Sequence, residues 1–150
     1  MRVTGPAIDW LLGSSEPAIR GMARRDLLDE PHPADLGRVL EGPIVRALLE
    51  GQQPDGGFGN QPYRKWTGAH WRLVSLVELE VPPGEPRAMA ALETVLDWLS
   101  APRYHGSRRR TDGLFLSDAS IEGNALAVAS RLGRAGDLRA RQLAESLIEW

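Results

Sequence analysis

The chain has 150 residues, 42% hydrophobic and 25% charged, with a formal net charge of -2 and a pI near 5.9. That length suits one domain with a real core, and the acidic balance excludes a general nucleic-acid binder, which needs a basic excess to neutralise phosphates. There is no cysteine, so disulfides and thiolate metal sites are excluded.

Helical periodicity runs from the start. Ala7 to Leu12 is a short apolar segment carrying Ile8, Leu11 and Leu12. Ser15-Glu16-Pro17 predicts a helix start, with Ser15 as cap and Pro17 in the first turn. Ile19, Met22, Ala23 and Leu27 form its apolar stripe, and Pro31 and Pro33 end it. A short helix follows over 34–40. Gly42-Pro43 breaks it before a helix over 44–50, where Ile44, Ala47 and Leu48 share a face. Gln52 to Gly59 is a glycine-rich turn.

Residues 66–80 are apolar on more than one face: Trp66, Ala69, Leu73, Leu76 and Val77 form one stripe, and Trp71, Val74 and Leu79 lie outside it. Such a pattern predicts an internal helix. Over 85–100 Met89, Leu92, Leu96 and Leu99 form a single stripe, which predicts an external helix. A loop spans 101–117. Residues 121–132 predict a second internal helix and 137–150 a second external one. On this reading Leu73 and Leu126 pack on two sides, and each is expected to bear more load than Leu96. The order repeats: Asp55-Gly56-Gly57-Phe58 corresponds to Asp112-Gly113-Leu114-Phe115, and Leu73, Leu76 and Leu79 to Leu126, Ala129 and Leu132. Strand signals are weak throughout. The expectation is a single all-α helical-repeat domain over 1–150, with units of roughly 50 residues.

Arg46 to Phe58, with Gln52, Gly56 and Phe58 at a Gln-x-x-x-Gly-x-aromatic spacing, resembles the QW repeat of squalene and terpene cyclases. Lys65 to Trp71 resembles the inner-helix start of bacterial squalene-cyclase-like proteins, and Trp10 to Gly13 with Arg25 to Leu28 their N-terminal segments. The resemblance implies an α/α toroid of inner and outer helices, a fold shared with protein prenyltransferases, and an isoprenoid or other apolar ligand. The chain is too short for a closed toroid, so a toroid fragment is implied, the N-terminal part of a larger one if the native chain continues past Trp150. Phe58 stands where the family usually has Trp. The Asp-x-Asp-Asp motif of the cyclases does not occur, nor do the zinc ligands of the prenyltransferases.

Five residues are singled out as ligand-binding: Trp66, His70, Trp71, Asp118 and Glu122. On an inner helix, Trp66, His70 and Trp71 either line a central cavity or serve as core packing with one hydrogen-bonded histidine. Asp118 and Glu122, four residues apart, are either an acid–base pair or a helix cap with a first-turn acid. Asp55-Gly56-Gly57 lacks the Lys-Ser/Thr of a P-loop and reads as a tight turn. Arg103, His105 and Arg108 to Arg110 form a basic loop that either meets an acidic ligand or is simply solvated. His32, His70 and His105 lie too far apart in sequence to suggest zinc, and no cofactor or metal is expected. No apolar run approaches the roughly 20 residues that span a bilayer, and Asp9 interrupts the first apolar stretch, so a cytoplasmic protein is expected. Uncovered terminal repeats are expected to drive a homo-oligomer. The alternative function is a non-enzymatic, HEAT-like interaction scaffold.

Overall fold

The computed structural model describes residues 5–31, 33–106, 110–111, 114–115 and 119–148. Its elements are α1 (Pro6–Leu12), α2 (Pro17–Leu28), a 3-10 helix (Ala34–Glu41), α3 (Pro43–Leu49), α4 (Ala69–Glu78), α5 (Pro86–Ser100), α6 (Pro102–Gly106), β1 (Arg110–Thr111), β2 (Leu114–Phe115), α7 (Ala119–Arg131) and α8 (Leu138–Ile148). The class is all-α. The two-residue strands pair antiparallel, Arg110 with Phe115 and Thr111 with Leu114, inside the segment expected to be a loop. No described helix is long and apolar enough to cross a membrane. The chain divides into two compact units, Met1–Glu50 with Glu78–Val81, and Gly51–Val77 with Pro82–Trp150.

In the first unit α1 packs on α2, α2 on the 3-10 helix, and the 3-10 helix on α3. Gly21 lets the α2 backbone approach Leu36. Arg20 forks onto Asp35, with Nε at 2.9 Å and Nη2 at 2.6 Å from Oδ1. The N-cap of α2 is Glu16, not Ser15, and its side chain does not cap its own helix. Instead the buried carboxylate reaches α3 and accepts from the Ile44 amide at 2.7 Å, satisfying one of the amides a helix start leaves unpaired. Gly42 is required beside it, because a Cβ there would collide with Glu16 Oε1. On α3 the buried side chains are Val45 and Leu49, while Ile44 is 45% exposed. The expected Ile44–Ala47–Leu48 face is therefore wrong by one position, because Glu16 fixes the start of α3 and with it the rotation of the helix.

In the second unit α5 is the hub, packing against α6, α7 and α8. Its stripe of Ala88, Ala91, Leu92, Val95, Leu96 and Leu99 is buried. Glu85 caps it, accepting from the Ala88 amide at 2.6 Å. Leu73, Leu76 and Val77 are buried on α4, and Ala125, Val128, Ala129 and Leu132 in and just after α7, but Leu126 is only half-buried. The start of α4 is joined to that of α7 by a bond from His70 to Ile121, and the end of α7 to that of α4 by Arg131 Nη2 donating to the Val77 carbonyl at 3.0 Å. The two helices therefore run in the same direction, side by side. Gly84 donates to the Leu132 carbonyl at 3.2 Å near their C-terminal ends.

Candidate functional site

The glycine-rich turn at 52–59 sets the direction of the segment that lines the site. Gln52 Nε2 donates to the Gly56 carbonyl at 2.9 Å and to the Arg87 carbonyl at 2.8 Å, and Arg87 Nε returns a bond to Gln52 Oε1 at 3.2 Å. One amide thus closes the turn and pins it to the start of α5. Gly56, at φ 86°, lies where a Cβ would strike the Ala90 carbonyl. The ring of Phe58 lies 4.3 Å from the Arg72 guanidinium, a cation–π pair. Gln52, Gly56 and Phe58 each have a structural task, and the Gly56 and Gly57 amides already donate within the turn, to the Gln53 carbonyl at 2.9 Å and to Asp55 Oδ1 at 2.8 Å.

The segment 60–68 then folds back on α4. The Arg64 amide donates to the Gln61 carbonyl at 2.8 Å, and the His70 amide to the Pro62 carbonyl at 3.0 Å. Gly68 permits this, since a Cβ there would meet the Pro62 carbonyl. The fold-back points Tyr63 toward the end of α5 and the start of α6. Its ring stacks on Trp98, with centroids 6.0 Å apart and planes 13° from parallel. Trp98 meets Tyr104 edge-on at 4.9 Å. Together with Asn60, Arg103 and Ile121, these rings line a cleft of about 760 Å³, within the size range of small-molecule sites.

Four of the five residues singled out from the sequence can be placed. His70 is buried, and its Nε2 donates to the Ile121 carbonyl at 3.1 Å. The carbonyl can only accept, so Nε2 carries the proton. The His70 ring meets Tyr63 edge-on at 5.3 Å. Trp71 is half-buried, 5.9 Å from Tyr63 and 5.3 Å from His70. Trp66 is not on the helix as expected. It precedes α4, has a left-handed φ of 68°, and is 67% exposed, with its ring 4.9 Å from Trp71. The fold-back at Gly68 delays the helix start to Ala69. Glu122 is fully buried in the first turn of α7, and its Oε1 accepts from the Tyr104 hydroxyl at 3.3 Å. It holds a cleft wall from behind. Asp118 lies outside the described residues, as do the turn residues Asp112 and Gly113 of the second repeat and the histidine His32.

An unbroken path of rings therefore runs Tyr104–Trp98–Tyr63–Trp71–Trp66, with each neighbouring pair of centroids between 4.9 and 6.0 Å apart. Sequence reasoning missed Tyr63, Trp98 and Tyr104. The available signal was scarcity: the chain has only two tyrosines, and both meet Trp98. Among the described residues, no group of three or more His, Asp or Glu side chains is placed to hold a metal.

Compared with known proteins, the chain matches no family model, no curated protein and no solved structure.

Proposed function

We propose that this chain is a helical-hairpin binding protein that holds a small, largely apolar molecule in the Tyr63–Trp98–Tyr104 cleft. The observation that carries the reading is the cleft itself: about 760 Å³, walled by three aromatic rings from three separate segments. The rings offer apolar faces with few rotatable bonds to freeze on binding, and Asn60, Gln61 and Arg103 add polar groups that can orient a ligand. The resemblance to squalene cyclases and prenyltransferases makes isoprenoids one fitting class, and the parallel pairing of α4 with α7 supports a toroid-like repeat of inner helices. The α/α toroid arrangement, the cytoplasmic location and the ligand are parts of this same proposal. Calorimetric titration with an isoprenoid alcohol such as farnesol tests it. Saturable one-to-one binding, weakened by Tyr104→Ala, is expected; no binding by the intact chain would count against the reading.

A second reading, an interaction scaffold, draws on the first unit. Leu11, Ile19, Met22 and Leu27 line an apolar groove of about 380 Å³ there, and Trp10 of α1 is 76% exposed. Groups of exposed apolar side chains favour association. On α8 the exposed apolar side chains are Leu138 and Ile148, whereas Leu147 is half-buried. A homo-oligomer weakened by Ile148→Glu in sedimentation experiments would support this reading.

A further inference from the structure

Resting on the cleft reading, we propose that the ligand is a planar aromatic molecule carrying one acidic group, with its ring against Tyr63 and Trp98 and its anion on Arg103. Two observations converge. First, three of the lining residues are aromatic, Tyr63, Trp98 and Tyr104, and Tyr63 stacks on Trp98 with planes 13° from parallel. A planar aromatic ring extends such a stack or meets its edges, and aromatic pairs gain attraction beyond area burial, which a branched aliphatic chain does not.

Second, Arg103 is the one charged side chain among the described cleft residues. It is exposed, and among the described residues it has no ion-pair or hydrogen-bond partner. The guanidinium matches a carboxylate or a phosphate with two parallel N–H bonds. Asn60 and Gln61 add amide groups to the same lining.

Among the described residues, the Glu122 carboxylate is fully buried, is engaged by the Tyr104 hydroxyl and does not line the cleft.

Calorimetric titration of the full chain with three probes tests this: 2-naphthoate, the neutral 2-naphthalenemethanol, and the branched acid geranate. The expected order places 2-naphthoate at least tenfold tighter than either of the others. Arg103→Gln is expected to weaken naphthoate at least tenfold, so that the preference for acid over alcohol disappears. A naphthoate and alcohol of equal affinity, or a preference that survives in Arg103→Gln, overturns the anion assignment while leaving small-molecule binding in place. Geranate binding tighter than naphthoate overturns the planar assignment alone. Failure of all three probes to bind overturns this inference and the cleft reading together.

Discussion

The His70 imidazole donates to the Ile121 carbonyl at 3.1 Å, across 51 residues of sequence, and fastens the first turn of α4 to the first turn of α7. Both ends of that bond are buried. It sets the wall that carries Ile121 against the segment that carries Tyr63, so the cleft depends on it. Replacing His70 by Leu removes this link while the Ile121 carbonyl, inside α7, keeps its helical bond, so the loss is that of one hydrogen bond, on the order of 0.5–1.5 kcal/mol. Urea melts should show that loss for His70→Leu and a smaller one for His70→Gln, whose amide can still donate. A His70→Leu midpoint equal to that of the wild type would contradict the assigned role.

Leu96 is completely buried on the hub helix, whereas Leu126 is half-exposed on α7. Leu96→Ala is therefore expected to cost on the order of 2–5 kcal/mol, with Leu73→Ala in the same range and Leu126→Ala well below both. This reverses the ranking of Leu126 and Leu96 read from sequence periodicity. Chemical denaturation of the three variants decides it, and Leu126→Ala as the worst of them would restore the sequence-based ranking.

Gly56 and Gly51 share a left-handed backbone but differ in their surroundings. At Gly51, φ 74°, a Cβ meets open space; at Gly56, φ 86°, it meets the Ala90 carbonyl on α5. Gly51→Ala should cost only the conformational penalty, about 1–2 kcal/mol. Gly56→Ala should cost clearly more, because the turn must lift off α5 and the Gln52 bonds stretch. Thermal melts of the two variants in parallel separate the effects; equal losses would mean that the close approach to Ala90 contributes nothing.

The helices are legible in the sequence because their determinants are local. Prolines mark the first turns of α1, α2, α3 and α5, and the spacing of Leu92, Leu96 and Leu99 already points α5 inward. The rotation of α3 is not legible, because it is fixed by Glu16, 28 residues away, taking the Ile44 amide. Trp66 reads as helical because its apolar spacing continues that of Ala69 and Leu73. The competing fact is the fold-back at Gly68, a tertiary contact with the Pro62 carbonyl. His70, Trp71 and Glu122 touch the rings of the cleft, yet the rings that line it belong to Tyr63, Trp98 and Tyr104. These three come together only through the turn pinned by Gln52 and the short α6, and no periodic pattern encodes such a meeting.

Between α5 and α8 a charge network joins Glu93, Asp97, Arg134, Asp137 and Arg139, with Arg139 reaching Glu93 at 2.6 Å, Asp97 at 2.6 Å and Asp137 at 2.7 Å. The Arg139 side-chain bonds hold the Asp137 carboxyl down at about 2, below its ordinary value of 3.8, and the same arginine together with Arg134 lowers Glu93. A carboxylate whose folded value is depressed adds stability that is complete above its unfolded value and is lost as pH falls through the folded one. Stability from Asp137 should therefore be intact above roughly pH 4 and vanish toward pH 2. Melting temperatures of wild type and Asp137→Asn should differ at pH 6 and converge near pH 2. A gap that stays constant over that range would show that Asp137 acts through packing rather than charge.

The most direct test of small-molecule binding is a fluorescence titration of the full chain with 1-anilinonaphthalene-8-sulfonate, a probe with an aromatic body and one anionic group. The cleft predicts a saturable one-to-one rise in dye emission. Tyr63→Leu and Trp98→Ala should each weaken binding at least tenfold, with circular dichroism confirming that the variants remain helical. Trp10→Ala, on α1 in the other unit, should bind as the wild type does. Wild-type binding by folded Tyr63→Leu and Trp98→Ala, or loss of binding in Trp10→Ala alone, would place the ligand elsewhere and contradict the assignment of function to this cleft.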